Sequence, residues 1–287
     1  MTNKQQRSAS RPALPYFDHL LNLLEREDHR AIEQSFGRHV HWGYWPTPER
    51  AEPTPEDFAR AAENLTAELC RAGQITDGLR VLDAGCGFGG TLAHIGEHYS
   101  RMTLTGLNLD GRQLQRAKKM FRPAPGNLLG FVLGDACRLP FSDHSFDVVL
   151  AVECIFHFPS RARFFREAYR VLAPGGRLAL SDFIPAPAIA PLAGIRLPER
   201  LSRGFYGRCN VQCTDRGYRR LAEQNRFGIL TVRDITTQTL PTYAYLRRLA
   251  RQTSFYNGFA LIETAALELL SRLHWMNYCV YAFQKQG

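Results

Sequence analysis

The sequence has no run of about 18 apolar residues, the length a helix needs to cross a bilayer. Its first stretch, "MTNKQQRSASRPALPY", carries basic residues with no apolar segment behind them. Neither secretion nor membrane insertion is expected, and the expected location is the cytoplasm. The seven cysteines (Cys70, Cys86, Cys137, Cys154, Cys209, Cys213 and Cys279) are scattered, odd in number and without a C-x-x-C pair. That spacing argues against a zinc or dithiol site and for reduced thiols. No internal repeat is visible, which sets solenoids aside. The arginines of "LPERLSRGFYGRCNVQCTDRGYRR" lie in no known nucleic-acid motif, which argues against a nucleic-acid partner.

What is present is an ordinary globular composition. A chain of 287 residues with 45% hydrophobic content can bury a full core, as one large domain or as a domain with an appended cap. The net charge of +9 is uneven: residues 181–287 hold 14 Lys and Arg against 7 Asp and Glu. A solvated helical face accounts for this excess, and so does attraction of an anionic small substrate.

Apolar segments alternate with helical ones. A helix is expected near "PEDFARAAENLTAELCRAG", then strand "RVLDA", a helix, strand "MTLTGLN", helix "GRQLQRAKKMF" and strand "LLGFVLG". "SFDVVLAV", helix "RARFFREAYRVL" and "GGRLALSDF" follow. This order predicts an α/β fold with a parallel sheet covered on both faces. Beyond Phe183 the proline-rich "IPAPAIAPLAGIRLP" leaves the sheet, before helix "TDRGYRRLAEQNRF", strand "GILTVRDI", a long helical region and a last strand "MNYCVYAFQ". An excursion on the side where such sheets bind ligands suits a substrate lid.

The stretch "VLDAGCGFGG", Val81–Gly90, contains both Gly85-x-Gly87-x-x-Gly90 and Asp83-x-Gly85-x-Gly87-x-Gly89. Either pattern ends a strand in a glycine turn and opens a helix, which lets backbone approach a nucleotide-like ligand closely. The turn alone does not choose between a dinucleotide and another cofactor.

Together with "GDACRLPFSDHSFDVVLAVECIFHFP" and "REAYRVLAPGGRLALSDF", in this order and spacing, the turn resembles the class I S-adenosylmethionine-dependent methyltransferases. The likeness runs from about Asp77 to Phe183 and is nearest to the small-molecule branch that includes ubiquinone/menaquinone, tocopherol and sugar O-methyltransferases. It implies a Rossmann-like seven-stranded sheet with helices on both faces, an N-terminal helical cap over residues 1–76, and a cofactor-binding domain over 77–287 with a lid inserted at about 185–227. S-adenosylmethionine is the implied cofactor. The implied reaction is methylation of a small metabolite, with a homo-oligomer compatible. O-methylation is the leading reading. C- or N-methylation of a small metabolite, an anionic one such as a prenyl diphosphate included, and RNA methylation are the alternatives.

The resemblance assigns roles to single residues. Asp83, Gly85 and Gly87 would hold the methionine end. Asn108 stands where an acid usually binds the ribose, beside Leu109, with Asp110 and Gln113 as competing contacts. Asp135 and the Ala136 backbone would read adenine, unless Asp135 only closes a turn. Glu153 either lines the methionine end or caps a turn. His157 matches a histidine of sugar O-methyltransferases and is the candidate base, with Asp182 of the next strand as its support. "RHVHWGYWP" would lay Trp42 and Tyr44 over the sulfonium or acceptor, where aromatic faces attract a cation. His39 and His41 alternate as metal ligands do, but no third ligand is near and no metal is expected.

Overall fold

Four of the helices start where a short polar side chain accepts a free backbone N–H. Thr54 accepts from Asp57 ahead of helix Pro55–Ala72, and Asp110 from Arg112 ahead of helix Gly111–Met120. Ser160 does the same for helix Arg161–Val171 and Thr214 for helix Asp215–Gln224. The computed structural model describes residues 14–25, 30–193, 206–207, 209–253 and 258–287.

Between these helices run β1 (Arg80–Ala84), β2 (Thr103–Asn108), β3 (Leu128–Leu133), β4 (Phe146–Ala151), β5 (Leu172–Pro185), β6 (Phe227–Asp234) and β7 (Met276–Lys285). They form one seven-stranded sheet, as expected, and its order is β3-β2-β1-β4-β5-β7-β6. The first five strands are parallel, and β7 runs antiparallel to both β5 and β6. Strand order reverses between β1 and β4, so the C-terminal ends of these two strands flank the crevice where open α/β sheets bind ligands.

Apolar side chains cover both faces of the sheet, Val81, Leu104 and Val148 on one and Leu82, Val149 and Phe165 on the other. A third core lies beyond the sheet. It joins helix Pro15–Leu24 and helix Arg30–Phe36 to Tyr245, Leu246 and Leu249 of helix Pro241–Gln252. The cap expected from residues 1–76 is thus built jointly with helices from the C-terminal third. Of the expected lid, residues 194–205 and 208 lie outside the described residues. Helix Asp215–Gln224, inside the same boundaries, is a wall of the sheet: Tyr218 and Ala222 are buried against it. Among the described residues no helix is long and apolar enough to cross a membrane.

Candidate active site

β1 ends at Ala84, and the chain then turns through Gly85, Gly87 and Gly89, whose φ angles of 94°, 52° and 85° lie in the left-handed region that glycine alone enters freely. Helix Gly90–His98 follows at once. A Cβ on Gly85 would meet Cys154 Sγ at 2.8 Å, and one on Gly90 would meet the Arg38 carbonyl at 2.5 Å. A Cβ on Gly87 would meet nothing within 4 Å. Gly85 and Gly90 therefore permit close packing, while Gly87 faces open space near the helix N-terminus, a favourable place for an anionic group.

That space is one cavity, and most of the expected cofactor residues line it: Asp83, Gly85, Gly87, Asn108, Leu109, Gln113, Ala136 and Glu153. Asp83 is 1% exposed, and its Oδ2 has no hydrogen-bond partner among the described residues. Burial alone pushes its carboxyl up to about 7. Asn108 Nδ2 donates to Gln113 Oε1 at 2.9 Å, and Asn108 Oδ1 accepts from Asp110 N. Asp110 itself caps the next helix and pairs with Arg112, so of the three ribose candidates only Asn108 and Gln113 reach the cavity.

Glu153 follows β4 with a φ of 49°, a strained conformation for a non-glycine residue. Its Oε2 accepts from Trp42 N and from the Tyr278 hydroxyl, at 2.9 and 2.7 Å. Burial pushes its carboxyl up to about 8 despite these two donors. His157, in the short helical turn Ile155–His157, also lines the cavity. Its Nε2 lies 3.5 Å from the Tyr16 hydroxyl and its Nδ1 3.9 Å from Cys209 Sγ.

Four expectations need correction. Asp182 is fully buried but does not support His157: Arg161 donates to its Oδ2 from two nitrogens, Tyr218 donates to the same oxygen, and Phe183 N donates to Oδ1. Successive strand residues point to opposite faces. Ser181 and Phe183 turn toward the Glu153 and Trp42 side, and Asp182 turns toward the helix Arg161–Val171. Trp42 and Tyr44 are core residues and not among the cavity's walls. Trp42 packs on Phe183, Tyr243 and Tyr278, and Tyr44 meets the Arg233 guanidinium. Asp135 also stays off the cavity wall, its Oδ1 accepting from Cys137 N in the turn that presents Ala136.

One group of cavity residues escaped sequence reasoning, and a second opens the aromatic segment "RHVHWGYWP". Helix Pro15–Leu24 covers one end with Tyr16 and Phe17, and the segment Arg38–His41 lines the other side. The aromatic pair behind Pro15 in "RPALPYF" was the available signal, but the 141 residues separating Tyr16 from His157 hid their encounter.

Comparison with known proteins agrees with this geometry. A family model described as a methyltransferase domain matches residues 82–180. Methyltransferase GfsG of Streptomyces halstedii is 33% identical over 236 residues, 81% of this chain and 78% of that one. The 27-O-demethylrifamycin SV methyltransferase of Amycolatopsis mediterranei is 36% identical over 162 residues, 56% of this chain and 57% of that protein. A geranyl diphosphate C-methyltransferase from Streptomyces coelicolor A3(2), solved with Mg2+, geranyl diphosphate and S-adenosyl-L-homocysteine, shares the fold. It has a TM-score of 0.72 at 21% identity, over 96% of this chain and 99% of that one. With the glycine turn, the strand order and a relative matched along most of both chains, the protein belongs to the S-adenosylmethionine-dependent class I methyltransferases and transfers a methyl group to a small molecule.

Proposed function

We propose that the enzyme methylates a hydroxyl oxygen of a small, largely apolar and uncharged metabolite. The observation that carries this reading is the make-up of the cavity, which places the unpartnered Asp83 carboxyl and the wall of Tyr16, Phe17, His157 and Phe158 around one space. The residues fit S-adenosylmethionine. Asp83 Oδ2 offers a buried acceptor for its ammonium, the space at Gly87 admits its carboxylate to the helix N-terminus, and Asn108 with Gln113 offers donors and acceptors to ribose hydroxyls. The Ala136 backbone is left for the adenine end. Bound there, the cofactor supplies an electrophilic methyl carbon.

The chain's own residues then do three things. Helix Pro15–Leu24 helps to exclude water, the cavity holds the acceptor in line, and His157 takes the hydroxyl proton through Nε2 once the acceptor hydroxyl has displaced the Tyr16 hydroxyl from that nitrogen. Arg38 is the sole Lys or Arg among the described cavity walls, and it is paired with Glu63 and Glu97. This disfavours a diphosphate or carboxylate acceptor. Several arginines of the basic C-terminal third are paired at the surface, Arg219 with Asp215 and Arg272 with Glu268 among them.

His157→Ala is expected to lower kcat by about 10²–10⁴-fold with the cofactor Kd unchanged. Near wild-type turnover would make His157 structural. Glu153 favours a second reading, carbon methylation: an acid near neutrality on the cavity wall suits the charge of a carbocation. In that case Glu153→Gln, and not His157→Ala, stops turnover, and product analysis finds a C-methyl group.

A further inference from the structure

His39, His41, Glu63 and His94 form one hydrogen-bonded row that the reading above does not use. His41 Nδ1 lies 2.9 Å from the Trp42 carbonyl, His41 Nε2 3.0 Å from His39 Nδ1, and His39 Nε2 2.8 Å from Glu63 Oε1. Glu63 Oε2 lies 2.7 Å from His94 Nδ1. One end of the row, His39 and His41, belongs to the wall of the cofactor cavity. The other end, Glu63 and His94, opens on a separate outer groove shared with Glu97, His98 and Tyr99.

Each of the four contacts needs one hydrogen between its two atoms. The Trp42 carbonyl only accepts, so His41 carries its hydrogen on Nδ1 and presents a lone pair at Nε2. His39 must then donate from Nδ1. A neutral His39 would be left with a lone pair at Nε2 facing a carboxylate. His94 fills its own contact from Nδ1. Thr66 Oγ, 3.2 Å from His41 Nε2 and 3.5 Å from His39 Nδ1, serves only one of these nitrogens and leaves another contact empty. Three neutral rings and a carboxylate are one proton short, and the row is filled when His39 is an imidazolium against Glu63.

That proton is held against opposition. Burial pulls the His39 pKa down and Glu63 pulls it up, with burial the stronger, so the net shift is downward and the imidazolium rests on the hydrogen count of the row. Burial likewise lowers His41, to about 3, so the charge does not settle there. Burial raises Glu63, but His39, His94 and Arg38 outweigh it and keep the group a carboxylate.

We propose that His39 stores a proton which leaves through Glu63 to the outer groove when a cationic cofactor enters the cavity, and which returns once the cofactor is neutral. The proposal rests on this cavity being the cofactor site. S-adenosylmethionine carries a sulfonium charge that S-adenosylhomocysteine lacks, and like charges sharing a poorly screened cavity disfavour one another. The other charged or titratable groups around the row are Arg38, whose Nε is 2.7 Å from Glu63 and which also pairs with Glu97, and His98, stacked on His94 at 4.2 Å, while Glu153 and His157 line the same cavity as His39. Asp83 shares the cavity, but it faces the amino-acid end common to both ligands under the same assignment.

The test is calorimetry of both ligands below about pH 6.5, the ordinary histidine value, because burial lowers His39, in buffers of different ionisation enthalpy, which counts protons exchanged on binding. Contributions from Asp83 are common to the two ligands and cancel in the difference. Wild type is expected to release more protons with S-adenosylmethionine than with S-adenosylhomocysteine, by an amount approaching one. In Glu63→Gln the amide N–H can donate to His39 Nε2, filling the row without an extra proton. The difference should vanish there while both ligands still bind. Equal proton counts in the wild type overturn the proposal, as does a difference that survives in Glu63→Gln. If wild type binds neither ligand, the cofactor assignment falls and the proton store falls with it.

Discussion

Asp83 and Asp182 both sit near the ends of strands in the parallel half of the sheet, and both are almost completely buried, yet their surroundings are opposite. Asp182 is saturated by Arg161, Tyr218 and the Phe183 N–H. Asp83 keeps an oxygen with no partner among the described residues. Burial raises both carboxyls, but at Asp182 the neighbouring guanidinium opposes the rise, whereas at Asp83 burial acts alone. A buried acid whose charge is met inside the protein holds the structure together. One left unmet is waiting for something from outside.

The largest effect should come from breaking the satisfied member. Arg161→Met strands Asp182 among apolar walls and is expected to cost about 3–5 kcal/mol in chemical denaturation, while the molecules that remain folded bind S-adenosylmethionine normally. A loss below about 1 kcal/mol, the size typical of an exposed pair, would erase the distinction. Next is Gly87→Leu, whose side chain would enter the open space at the turn. Cofactor affinity should fall by about a hundredfold, equivalent to ~2.7 kcal/mol, with thermal stability changed by only a few degrees. Full affinity in this variant would remove the cofactor from the turn.

Asp83→Asn sharpens the comparison, since it should weaken cofactor binding by about tenfold and yet stabilise the ligand-free protein. The sign follows from the raised pKa. A carboxyl moved from an ordinary value near 3.8 up to about 7 contributes stability that is complete below about pH 4 and is lost as pH rises through 7. The wild-type Tm should therefore fall between pH 5 and 8 more steeply than that of Asp83→Asn. The smallest effect is on binding itself. An ammonium favours the carboxylate, so wild-type affinity should rise as pH approaches 7, by no more in total than the roughly tenfold that Asp83→Asn costs, and flatten above it. A titration series showing no slope below 7 would mean that Asp83 does not meet the ligand.

Much of the sheet was legible because its information is local. Apolar runs of the right length, glycine at the β1 turn and capping residues such as Thr54, Asp110 and Ser160 each act within a few positions. The part of the cavity expected to hold the cofactor was legible for the same reason: Asp83 to Gly90, Asn108 to Gln113 and Ala136 lie at or just beyond the ends of strands that the pattern predicts. The acceptor half was less legible. Asp182 stands at the expected strand but on the wrong face, and the two-residue alternation that decides this, with Phe183 against Trp42, depends on knowing where Trp42 packs. Tyr16, Trp42 and Glu63 reach their partners across long stretches of chain, and no short pattern records such encounters. The aromatic run at Trp42 and Tyr44 was visible, but an aromatic cluster reads the same whether it fills a core or covers a ligand.

The place of β7 between β5 and β6 has a consequence for the order in which the molecule is made. A ribosome releases β1 to β5 in a sequence that allows each to pair with strands already present. β6 is different, because its neighbour in the sheet, residues 276–285, is synthesised about forty residues after it. Until then β6 and the exposed edge of β5 are two unpaired borders, open to one another or to other nascent chains. The last strand acts as a clasp, and the hazard it ends is greatest in the seconds before it emerges.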